Sequence, residues 1–132
     1  MKAKDLRIGN SVFYNGEIIS ISETGLREYA FIGDCYAKSK TDRRNYSPIP
    51  LTDRRLKNLG FERYIDPIWD EVNFRFIPDW FYIKKREGKY NVGLSHSVGA
   101  GTRSFFTIDI IYVHQLQNLY YALTCNELNF RA

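Results

Sequence analysis

Tyr112–Thr124 reads YVHQLQNLYYALT, and its reading decides the fold. It holds one of the chain's two histidines, together with two glutamines, an asparagine and three tyrosines. Either it is a polar signature or it is a helix that is wet on one side. Val113, Leu116, Tyr120 and Leu123 recur at helical spacing, and Leu119 widens the stripe. His114, Gln115, Gln117, Asn118 and Tyr121 fall mainly off it. The spacing predicts an amphipathic helix docked on a sheet, with His114 as part of the architecture.

Working outward, FFTIDIIYV before this helix reads as a strand. WFYIKKREGKYNVGLS reads as a hairpin turning near Glu87-Gly88, and VNFRF alternates like a strand between Pro67 and Pro78. LTDRRLKNLGF is a short helix with marked ends. Thr52 suits the N-cap, Asp53 the first turn, and Gly60 the left-handed position after the last turn. Leu56 and Leu59 are expected inward, with Leu51 and Phe61 packing at either end. Residues 26–38, LREYAFIGDCYAK, predict one or two strands around a Gly33-Asp34 turn. In SVFYNGEIISIS, Asn15-Gly16 fits a type I′ turn because both residues tolerate positive φ. After it, Ile19 and Ile21 share one face and Ile18 and Ser20 the other. This N-terminal pattern resembles the opening of a small bent barrel of the Tudor or KOW kind. The expected fold is α+β in a single domain, 1–132. It is a small, mostly antiparallel and strongly bent sheet with a barrel-like N-terminal hairpin, a short middle helix and the docked C-terminal helix.

A chain of 132 residues can bury one core. Ten tyrosines and nine phenylalanines exceed what one small core needs, which points some rings toward a binding surface. The net charge of +4 is uneven: residues 38–57 carry seven Lys or Arg against Asp42 and Asp53. Such a segment attracts phosphates, or is simply a solvated loop and helix face. No apolar run opens the chain and none approaches a membrane span, so a cytoplasmic location in a bacterial cell is expected, with no membrane partner. Cys35 and Cys125 are expected reduced and buried.

LRIGN, YNGEI, SPIPLTDRRLKNLGF and YVHQLQNLYYALTCNEL resemble, in order, the recurring blocks of a family of small uncharacterised proteins of Bacteroides-type gut bacteria and their phages. Residues 65–104 depart from the pattern, and Cys125 stands where similar sequences often have glycine. The resemblance implies a phage, prophage or mobile-element setting and carries no activity and no site residues.

Motifs for catalysis are missing from the sequence: no phosphate-binding loop, no HExxH, no CxxC, no nucleophile elbow, and no metal spacing around His96 or His114. No cofactor, metal or catalytic residue is expected. A metal-free nuclease using His96 as acid–base and Arg103 against phosphate charge is the weaker use of the second hairpin, where Lys84, Lys85 and Arg86 also lie. Binding suits these residues better. Gly99, Gly101 and Thr102 would open backbone N–H groups to an anion, Arg103 and His96 would grip it, and Trp80 and Tyr82 would stack on a base. Arg43 and Arg44 offer a second cationic group. The expected function is non-enzymatic capture of a phosphate-bearing ligand, such as a nucleotide immune signal. The alternatives are a protein-interaction module acting on a host protein, and a basic nucleic-acid binder. An edge strand in a small sheet also admits a homodimer.

Overall fold

The computed structural model describes residues 1–35, 45–65, 72–75, 81–95 and 103–131. It is α+β, with two antiparallel sheets where one was expected, and three α-helices. The strands divide between two compact units.

The first unit comprises Met1–Pro50 and Tyr112–Asn129. Its sheet contains β1 (Ser11–Tyr14), β2 (Glu17–Ser20) and β3 (Tyr46–Ser47), in the open order β2-β1-β3. Asn15 and Gly16 both have positive φ, and Tyr14 pairs with Glu17, so the type I′ hairpin forms as its sequence requires. Ile21 is buried and Ile18 exposed, in keeping with the alternation. Leu6, Val12, Ile21 and Tyr29 form the core beneath, and Leu26 and Tyr46 pack on it.

Residues 26–35 lie in α1 (Glu23–Cys35), not in strands. Ser22 caps this helix, its hydroxyl accepting the Gly25 N–H at 3.0 Å. Glu23 and Arg27 pair one turn apart at 2.6 Å. Leu26 and Tyr29, three residues apart, then reach the same core. Tertiary burial of that face overrides the strand preference of the aromatic and β-branched residues.

The C-terminal helix α3 (Val113–Thr124) is present, but its buried face is rotated from the expected stripe. Val113, His114, Leu116 and Gln117 are buried, while Leu123 is exposed. The side chain of Gln117 is only 1% exposed. Its Oε1 accepts the Ser11 N–H at 2.8 Å, and its Nε2 donates to Ser11 Oγ at 3.1 Å and to the Leu128 carbonyl at 2.8 Å. A polar side chain with both ends satisfied can lie inward, which apolar spacing alone does not reveal. The helix therefore docks on β1 through its amide as well as its leucine.

Cys125 ends α3 in the left-handed conformation, φ 58°, with its N–H on the Tyr121 carbonyl at 2.8 Å. It is a free, exposed thiol, contrary to the burial expected. A side chain in this region carries a steric cost that glycine avoids. Cys125→Gly is therefore expected to raise stability by about 1 kcal/mol in denaturant unfolding, the steric relief outweighing the added chain entropy.

The second unit comprises Leu51–Ile111 and Phe130–Ala132. Helix α2 (Asp53–Asn58) begins as predicted, with Thr52 Oγ1 accepting the Arg55 N–H at 3.2 Å, and it is followed by Gly60 at φ +100°. Five strands follow: β4 (Glu62–Ile65), β5 (Val72–Arg75), β6 (Phe81–Arg86), β7 (Lys89–Ser95) and β8 (Arg103–Ile110). Their order follows the sequence, an open antiparallel meander. Strand β4 falls where no strand was expected. Leu56, Leu59, Phe61, Phe74, Phe81, Ile83 and Val92 form the buried interior. No helix among the described residues is long and apolar enough to cross a membrane.

Candidate binding face

Successive residues of a strand point to opposite faces, so the pairing registers sort the charges of the second unit. Arg75 stands opposite Tyr82, Asn73 opposite Lys84, and Lys89 opposite Arg86. Arg75, Lys84, Arg86 and Lys89 thus share one face, contributed by three adjacent strands. Phe74, Ile83, Tyr90 and Val92 lie on the other, with Lys85.

The cationic face has a packed centre and a charged margin. Tyr82 is 2% exposed and Asn73 is buried beside it, whereas Arg86 and Lys89 are exposed. The Arg75 guanidinium lies 4.8 Å over the ring of Tyr64, a cation–π contact that orients it. Among the described residues, two acids moderate the field. Glu62 is 3.9 Å from Arg75, and Asp109 accepts from Asn91 at 2.9 Å and lies 3.7 Å from Lys89. These separations at exposed positions are the weak kind of ion pair that an anionic ligand can displace.

On the opposite face, Asp53 at the start of α2 accepts from the Tyr90 hydroxyl at 2.5 Å and from Lys85 Nζ at 3.1 Å. Burial alone would push the Asp53 carboxyl up. The hydrogen bonds from Tyr90 and Lys85, with the charges of Lys85 and Arg63, outweigh it and hold the carboxyl below the ordinary range. Burial and the carboxylate together push the Tyr90 phenol far above its ordinary value. Asp53 and Tyr90 therefore stay as carboxylate and phenol. With Lys85 they tie α2 to the sheet.

In the first unit, Arg7 holds Glu127 with two bonds, at 2.6 and 2.9 Å, and stacks 4.0 Å over Tyr121. This clamp fastens the segment after α3 to the turn at Gly9.

Of the residues singled out from sequence, Arg43, Arg44, Trp80, His96, Gly99, Gly101 and Thr102 lie outside the described residues. Arg103 opens β8, with its backbone paired to Ser95. Tyr82 is buried at the packed centre of the cationic face rather than open on its surface. Sequence reasoning missed Arg75 and Tyr64. The signal was available for Arg75, since alternation in VNFRF puts it on the face opposite Phe74. For Tyr64 it was not, because β4 itself went unread. Among the described residues, no group of three or more His, Cys, Asp or Glu is placed to hold a metal ion.

The fold and this face describe an α+β protein with a cationic sheet surface. Comparison with family models, with curated proteins and with solved structures gives no match.

Proposed function

We propose that this protein is a non-enzymatic binding protein that captures a phosphate-bearing ligand on the cationic face of its five-stranded sheet. The observation that carries the reading is the gathering of Arg75, Lys84, Arg86 and Lys89 on one face, with Arg75 already oriented by Tyr64. A pre-oriented guanidinium loses less freedom on binding an anion than a free one. The Asp53 carboxylate is occupied in holding Tyr90 and Lys85, a packing role that agrees with the non-catalytic part of this reading. The family resemblance implies a phage or mobile-element setting. There, the ligand we propose is a nucleotide immune signal, held rather than cleaved.

The test is thermal unfolding against a panel of linear and cyclic nucleotides. A ligand bound by the folded state alone stabilises it by about 2.7 kcal/mol at a hundredfold excess over its Kd. One or more nucleotides are expected to raise Tm in a concentration-dependent manner, and Arg75→Glu with Lys84→Glu to abolish the rise. No shift across the panel overturns the proposal. A response to polynucleotide alone, falling steeply with salt, would instead indicate a nucleic-acid binder using the same cations.

A further inference from the structure

His114 is the second residue of α3, and its side chain is 3% exposed. Its ring lies parallel to that of Tyr112, 5.7 Å away at an interplanar angle of 9°. Its Nδ1 is buried without a hydrogen-bond partner. The backbone around it is fixed, with the Val113 N–H on the Ile49 carbonyl at 2.9 Å and a bridge between Pro50 and Tyr112. One turn further along, Asn118 Nδ2 donates to the Asp5 carbonyl at 2.8 Å, which ties this part of α3 to the short 3-10 turn Ala3–Asp5. The chain start is anchored in turn by the Tyr29 hydroxyl of α1, 2.5 Å from the Met1 carbonyl.

We propose that His114 is an acid-sensitive latch of the first unit: proton uptake by its buried imidazole loosens the first turn of α3 and, through the next turn, the tie of Asn118 to the N-terminal turn.

Three physical features support this. A charged imidazole at this depth loses its hydration with no acceptor at Nδ1 to replace it. The first turn of a helix carries the positive end of its dipole, which repels a cation. Of the charged groups near it, the Asp5 carboxylate favours the imidazolium and the α-amino group of Met1 opposes it, while Tyr112 contributes a neutral ring. Burial dominates and pushes the imidazole below its ordinary value, with Asp5 recovering part and the amino group adding to the fall. The sign follows. With the folded value below the unfolded one, the neutral histidine stabilises fully above about pH 6.5. That stabilisation is lost as pH falls through the folded value.

The test is hydrogen exchange across residues 112–124 at pH 7.5 and pH 5, corrected for the chemical exchange rate, in the wild type and in His114→Gln. The wild type is expected to lose protection in the first turn of α3 at pH 5, and the variant to show no such loss between the two pH values. Equal losses in both proteins, or no loss in the wild type, overturn the proposal. Should the variant not fold, the imidazole of His114 is titrated by NMR in the intact chain, with His96→Gln assigning the signals. The latch requires the His114 titration to coincide with movement of the Asn118 side-chain amide. Titration at the ordinary histidine value with that amide unmoved overturns it.

Discussion

Gln117→Leu is expected to destabilise the protein by about 3 kcal/mol, because each buried polar group left without a partner costs on the order of 1–3 kcal/mol. Leucine matches the volume tolerably but cannot accept the Ser11 N–H or donate to the Leu128 carbonyl. Both of those groups would remain in a region from which Gln117 already excludes water. The Ser11 hydroxyl loses its partner as well. Denaturant unfolding measures the loss. The neighbouring polar side chain provides the contrast: Gln115 is half-buried and caps the helix through the Tyr112 N–H, so Gln115→Leu should cost only about 1 kcal/mol. Equal losses at the two positions would show that Gln117 does not work as a buried hub.

The same residue marks the limit of what sequence periodicity conveys. Apolar spacing in Tyr112–Thr124 identified the helix correctly, but oriented it by its leucines alone. The true inward face includes Gln117 and His114, because Ser11 and Leu128, far away in sequence, supply partners for the amide. Polar residues at helical spacing are ambiguous until those partners are known. Residues 26–35 failed for a related reason. Tyr29, Phe31 and Ile32 favour strands in isolation, and the helix is selected by a serine cap, the Glu23–Arg27 ion pair and burial against Leu6 and Val12.

Local chemistry was legible where it was self-sufficient. Asn15-Gly16 and Glu87-Gly88 both turn with positive φ, and Thr52 and Gly60 bound α2 as their backbone preferences require. The candidate face stands between these cases. Lys84 and Arg86 were noticed as charges on a hairpin, but their alignment with Arg75 depends on which strands become neighbours. Pairing register is a tertiary fact, and one residue of slip would send Arg75 to the apolar side.

Asp53 is the residue where a helix cap, a charge and an interior meet, and its removal should produce the second large effect. Asp53→Ala is expected to cost about 2 kcal/mol, given that hydrogen bonds to a charged group are worth roughly 1.5–3 kcal/mol and that partial exposure here screens the lysine. The buried Tyr90 hydroxyl loses its acceptor, Lys85 loses its counter-charge, and the first turn of α2 loses a favourable negative charge. The pH dependence separates this account from simple loss of packing. The carboxyl sits lower in the folded chain than in the unfolded one, so its contribution is fully present above about pH 4. It disappears as pH falls through the folded value. The phenol behaves oppositely: its folded value is raised, so its contribution holds up to about pH 10 and is lost in stronger alkali. Unfolding of the wild type should therefore weaken at both extremes. In Asp53→Ala the Asp53 component of the acid limb should vanish and the alkaline limb should shrink, since the carboxylate helps hold the phenol protonated. Unchanged limbs in the variant would mean that α2 is held to the sheet by Leu56 and Leu59 alone, with the three polar groups merely adjacent.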